Sequence, residues 1–151
     1  MTRWAKGRAE VDAALVAGHL QKITGAAASG EALLEKAART LRSAAALVET
    51  DPDTAFILAY DAARHSGTAL LAQQGLRPTT AGGHYAVETV LRAQFGDSYR
   101  AFGAMRRRRN ELEYPTVPGD ETPPAEARRA IADADALIEA ARQILPMLGL
   151  Y

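Results

Sequence analysis

The chain has 151 residues, 48% hydrophobic and 24% charged, enough to bury one sizeable core and too few for two full domains. Eighteen basic side chains balance 18 acidic ones, so no global field marks a nucleic-acid binder and any basic patch has to be local. The lack of cysteine excludes disulfides, thiolate metal sites and cysteine nucleophiles, and suits a reducing cytosol.

Alanine is abundant while Val, Ile and Thr are sparse, which predicts an all-α fold because alanine loses no side-chain entropy in a helix. The first periodic segment runs from about Arg8 to Lys22, anchored by Val11, Leu15 and Leu20 and weakened by Gly18. A spacer from Gly25 to Gly30 leads, through a cap at Ser29, into a helix ending near Glu49. Asp51-Pro52-Asp53 is a restart, with Asp51 as cap and Pro52 in the first turn, and the third helix extends to about Gln74. Its apolar residues Phe56, Ile57, Tyr60, Leu70 and Leu71 are interleaved with Asp61, Arg64 and His65.

Gly75 to Pro78 ends that helix, and a flexible turn to Gly83 precedes a shorter one from about His84 to Gln94. Asp97 is placed to cap the next helix, which runs to Tyr114 before Pro115 and the Pro118–Pro124 loop stop it. Thr122 and Pro123 start the last helix, which reaches about Leu145, where Pro146 closes or kinks it. With no internal repeat or sustained heptad, the expectation is one domain over residues 1–151, a compact bundle of five or six helices. No apolar run approaches the roughly 20 residues that span a bilayer, and the opening MTRWAKGRAEVD lacks a hydrophobic secretion region. A cytoplasmic protein with no membrane partner is expected.

The segment RRRRNELEYP, Arg106 to Pro115, carries the functional signal. At roughly 100° per residue, Phe102, Met105 and Leu112 share one apolar stripe and Arg109 falls between Phe102 and Met105. Arg109 is therefore expected to be partly buried, with Arg107 and Arg108 pointing sideways or away. Arg106, Asn110 and Tyr114, spaced by four, line a polar flank beside the stripe. A guanidinium stays charged and offers five planar donors, so its inward placement requires a carboxylate, phosphate or carbonyl. Asp61 is the preferred carboxylate for Arg109. The alternative is a solvated face, with Arg107–Glu111 and Arg109–Glu113 as ordinary helical pairs.

His84 follows two glycines at a helix start, where backbone amides can receive an anion. Asp, Glu and His do not gather at any metal-ligand spacing, and neither a phosphate-binding glycine loop nor a nucleophile elbow occurs. No metal and no cofactor are expected. Tyr60, Tyr85, Tyr99 and Tyr114 supply one or two stacks at most, and Trp4 is expected to anchor the terminus on the bundle.

Three segments, AYDAARHSGTALL from Ala59 to Leu71, GLRPTTAGGH from Gly75 to His84 and RRRRNELEYP itself, resemble a HEPN domain, the small helical-bundle family named for nucleotide binding in higher eukaryotes and prokaryotes. The likeness is to a bacterial subgroup in which an Arg-Asn pair is followed by Glu-Tyr-Pro. It implies a HEPN-like bundle and a homodimer. Members with the full motif are commonly metal-independent RNases acting as toxins or antiviral effectors. It also implies a small nucleotidyltransferase partner, which in some systems modifies a tyrosine near the motif; Tyr114 is the candidate acceptor. Arg109 and Asn110 match the arginine and its polar neighbour, and Tyr114 stands where the family has histidine.

That substitution bears on chemistry. Metal-free RNA cleavage needs a base for the 2′-hydroxyl, and a phenol with a pKa of about 10 requires a shift of roughly three units, about 4 kcal/mol, to serve near pH 7. The leading expectation is therefore an RNA- or nucleotide-phosphate-binding protein, toxin-like or related to stress or defence. Its candidate site is Arg109, Asn110 and Tyr114, with Arg106, Arg107, Arg108 and His84 as further ligand contacts and Asp61, Arg64 and His65 as support. The alternatives are a catalytically inactive dimeric interaction module and a metal-independent RNase using Arg109 and Tyr114.

Overall fold

Alanine decides which helix lies at the centre. The computed structural model describes residues 3–151 and contains, in chain order, α1 (Arg8–Val16), β1 (Leu20–Lys22), α2 (Glu31–Leu47), α3 (Pro52–Gln73), β2 (Leu76–Pro78), α4 (Gly83–Phe95), α5 (Arg100–Glu113) and α6 (Pro124–Ile144). α3 buries Ala55, Ala59, Ala62, Ala63 and Ala69, so neighbouring helices approach it closely on several sides. It packs mainly on α2 and α6, and less extensively on α5. Leucines fill the spaces that alanine leaves: Leu34 and Leu41 from α2, Leu70 and Leu71 from α3, and Leu137 from α6 with Ile138. The molecule is thus mostly helical, as expected.

Several expected boundaries move for local reasons. The first segment does not continue to Lys22: α1 stops at Val16, Gly18 takes a left-handed φ of 76°, and β1 pairs antiparallel with β2, Gln21 opposite Arg77. Ser29 does not cap α2; Gly30 holds that position and its N–H donates to Gln73 Oε1 at 3.0 Å. A Cβ at residue 30 would land on the Ala69 carbonyl oxygen, so glycine is what lets α2 start against α3. Asp51 caps α3 as expected, accepting from the Thr54 amide at 3.2 Å, with Pro52 in the first turn. Asp97 does not cap α5, because a 3₁₀ turn over Gly96–Tyr99 intervenes and its carboxylate takes Arg100 at 2.7 Å instead.

The bundle is closed by polar joints. Gln74 at the end of α3 and Gln94 near the end of α4 exchange buried amide hydrogen bonds of 3.0 and 2.8 Å. Trp4 anchors the start of the chain as expected, donating from Nε1 to the Gln94 carbonyl and packing on Phe95. Around α5 the packing is aromatic: Phe102 stacks on Tyr60 at 5.3 Å between ring centroids and meets Tyr99 edge-on. This aromatic seam between α3 and α5 sets the floor beneath the arginines.

Candidate functional site

α5 presents its residues on the expected register. Phe102 and Met105 are buried, Leu112 packs on the core, and Arg109 lies on the same side with its side chain 22% exposed. α3 contributes Tyr60, Asp61 and Arg64, and the start of α4 contributes His84. The Tyr60 hydroxyl and His84 Nδ1 are 2.9 Å apart, which ties α4 to α3 beside the aromatic seam. Arg64, Arg106 and Arg109 all act electrostatically on both Tyr60 and His84, with Asp61 opposing them. Half-buried cations therefore gather where α3, α4 and α5 meet, a cationic recess in the sense that the Arg64 and Arg109 side chains are only 28% and 22% exposed.

Its electrostatics follow from burial. Burial pushes the Tyr60 phenol well above its ordinary value, so it stays protonated although the three arginines pull the other way. Burial first, then Arg64 and Arg109, depress His84, so its ring is neutral near pH 7. If the phenol donates to Nδ1, the ring proton of His84 sits on Nε2 and is available as a donor. The Nε atoms of Arg64 and Arg109 are buried and have no hydrogen-bond partner among the described residues. Arg109 meets Glu113 only at 3.8 Å, and Arg64 meets Asp61 only at 3.9 Å. Neither guanidinium is within hydrogen-bond distance of its carboxylate, and each side chain keeps about a quarter of its surface open, 28% for Arg64 and 22% for Arg109, so an anionic acceptor can meet them from solvent.

The remaining arginines divide. Arg106 is held by the buried carboxylate of Glu88, Nε to Oε2 at 2.7 Å, and lies over the Tyr85 ring at 5.5 Å. Glu88 is 5% exposed and also faces Arg92 at 3.9 Å. Its carboxylate fits because residue 103 is glycine; a Cβ there would collide with Oε1. Arg107 is exposed, as expected. Arg108 is not: its side chain is 19% exposed and bonded to Glu126, Glu111 and Asp120 at 2.9 to 3.0 Å, so it pins α5 to the start of α6 and the loop before it. Those bonds hold the guanidinium even more firmly charged than usual. Arg108 is therefore a structural tie here, and the expected Arg107–Glu111 pair is replaced by Arg108–Glu111.

Other expected members stand elsewhere. Asp61 is not the partner of Arg109; it pairs with Arg64 one turn along its own helix, and Glu113 pairs with Arg109. His65 is buried and lowered to about 4, by burial and then by Arg64 and Lys36 of α2, so it belongs to the α2 side rather than to the recess. Asn110 is exposed, and Tyr114, beyond the end of α5, is 74% exposed. No side-chain hydrogen bond joins Tyr114 to Arg109 among the described residues, so the geometry does not give this phenol the environment that base chemistry demands.

Tyr60 and Glu88 are the members that sequence reading passed over as site residues. Tyr60 reads as core, yet it lies four residues before Arg64 on the same face. Glu88 is an acid among Ala86, Val87, Val90 and Leu91, one turn after His84, and a lone carboxylate in an apolar helix face signals a cation opposite.

Among the described residues no group of three or more His, Asp or Glu side chains is placed to hold a metal ion, and no helix is long and apolar enough to cross a membrane. The chain matches no protein-family model, no curated protein and no solved structure.

Proposed function

We propose that the chain is a HEPN-like protein that binds RNA or nucleotide phosphate in the recess formed by α3, α4 and α5. The observation that carries the reading is the pair of half-buried guanidinium groups, Arg64 and Arg109, whose nearest carboxylates stand at 3.9 and 3.8 Å, beyond hydrogen-bond distance, beside neutral His84. A phosphate brings several acceptor oxygens and a negative charge, and it satisfies planar guanidinium donors better than the long contacts to Asp61 and Glu113 do. Within this reading Arg109 and Arg64 contact the phosphate, Arg106 adds charge from a fixed position, and His84 donates from Nε2. By resemblance, the same proposal includes a homodimer, a toxin-like or stress and defence role, and a nucleotidyltransferase partner.

Titration of a fluorescent single-stranded RNA across salt concentrations tests it. Affinity should fall steeply with salt, and Arg109→Ala should weaken binding roughly tenfold while stability changes by less than about 1 kcal/mol. A salt-independent isotherm, or one that Arg109→Ala leaves untouched, overturns the reading and leaves a protein-interaction module in its place.

A further inference from the structure

Tyr85 is a large aromatic side chain left 67% exposed at the first turn of α4, next in sequence to His84. It forms part of the wall of two clefts at once. On one side a cleft of about 590 Å³ between α4 and α5 is lined by Arg92, Arg100, Arg106 and Arg107, with Glu88 and Asp97 as its acids; Arg100 is bonded to Asp97 and Arg106 to Glu88, which leaves Arg107 and the more distant Arg92 as the surplus positive charge. On the other side a groove of about 300 Å³ between α1 and α4 is walled by Ala13, Ala17, Ala86 and Val90. Thr89, one turn further along α4, also borders both.

The two clefts differ in chemistry across a single ring. A cationic trough takes phosphate and an apolar groove takes a flat, weakly polar surface, so one ligand that fills both must carry charge on one edge and an aromatic body on the other. Tyr85 is already oriented for this, because the Arg106 guanidinium, fixed by Glu88, lies over its ring while much of the side chain remains open. Arg106 lines the trough and also lies close enough to Tyr60 and His84 to act on both electrostatically. Arg106 and Arg109 are three residues apart on α5, close to one turn, so the two cationic regions are neighbours along one side of that helix.

We propose that this ridge and its two clefts dock a single-stranded polynucleotide, its phosphates running along the arginine trough from the recess and one base stacking on Tyr85 over the apolar groove. The inference rests on the phosphate-binding reading above and extends it from the anion to the base. A mononucleotide fills the recess alone, whereas a strand engages both regions. Paired bases are unavailable for such stacking, so a duplex is the wrong ligand.

The test uses the full chain and two fluorescent oligoribonucleotides of about 12 nucleotides, one intact and one abasic, which share their phosphates and differ only in bases. The intact strand should bind roughly tenfold tighter than the abasic one. Tyr85→Ala should erase that difference with little change for the abasic strand, and Tyr85→Phe should keep it. Because Tyr85 is exposed, the alanine variant is expected to fold. Equal binding of the two strands by the unaltered protein overturns the inference, as does an equal loss for both in Tyr85→Ala or a duplex that binds as tightly as the single strand. Binding of neither strand overturns the phosphate reading as well, which keeps the two failures distinct.

Discussion

Arg108 and Arg109 are neighbours on α5 with almost the same exposure, 19% and 22%, yet they lie on flanks of opposite character. On the α6 flank, Arg108 has three carboxylate oxygens within 3.0 Å and no unmet demand. On the α3 flank, Arg109 has one carboxylate at 3.8 Å and a buried Nε with no partner. Burial therefore does not separate a structural arginine from a binding one; the set of acceptors around it does. A saturated guanidinium stabilises the fold and offers a ligand only whatever net charge its acids leave, whereas an unsaturated one costs stability and invites an anion directly.

The sharpest way to break this comparison is at Glu88, which saturates Arg106 between the two cationic regions. Glu88→Ala leaves a half-buried guanidinium without its carboxylate and should lower unfolding free energy by about 3 kcal/mol, read from a urea transition. A loss below about 1 kcal/mol would put Arg106 with the unsaturated arginines rather than the structural ones. Next in size is Arg108→Ala, which should lower stability by about 2 kcal/mol and leave RNA affinity unchanged. If affinity instead falls as far as in Arg109→Ala, the two flanks do not divide the work as described.

How much of this was legible in the chain follows from the range of each interaction. The inward register of Arg109 could be read from Phe102 and Met105, because helical periodicity acts over a few residues and needs no knowledge of the partner. The Asp51 cap was legible for the same reason. The β1–β2 ribbon was not: it joins Leu20–Lys22 to Leu76–Pro78 across 53 intervening residues, and a three-residue strand has no room to show alternation. Nor was the choice of carboxylate for each arginine. Glu88 reaches Arg106 through the register of α4 against α5, and Asp120 reaches Arg108 through the path of the loop before α6. Those distances are set by tertiary packing: local spacing paired Arg109 with Glu113 correctly but put Glu111 with Arg107 instead of Arg108, and the long-range choice of Asp61 for Arg109 was wrong.

The α2 side of α3 offers a contrast that pH can sharpen. His65, lowered to about 4 by burial, Arg64 and Lys36, takes up no proton in the folded protein until well below its unfolded value of about 6.5. Its contribution is fully present above about pH 6.5 and is lost as pH falls toward 4, because only the unfolded chain gains the proton in that window. The loss should be on the order of 1–2 kcal/mol, and His65→Gln should flatten the stability profile between about pH 6.5 and 5, above the range where most carboxylates titrate. RNA affinity of that variant at pH 7 should match the unaltered protein, since His65 lies outside the recess.

The smallest expected effect is the most discriminating. Asp61 is partly exposed and 3.9 Å from Arg64, so Asp61→Asn should cost less than about 1 kcal/mol of stability. The same carboxylate is the acid that opposes the three arginines at Tyr60 and His84, and removing its charge makes the recess more positive. RNA affinity should therefore rise, by about two- to threefold at low salt, with the gain shrinking as salt screens it. A structural ion pair and a ligand surrogate both lose stability when cut, but only the surrogate gives a gain in binding, because the ligand no longer competes with it. Lower affinity in Asp61→Asn would mean that Asp61 orients Arg64 for the phosphate, and the recess would then be as saturated on its α3 wall as Arg108 is against α6.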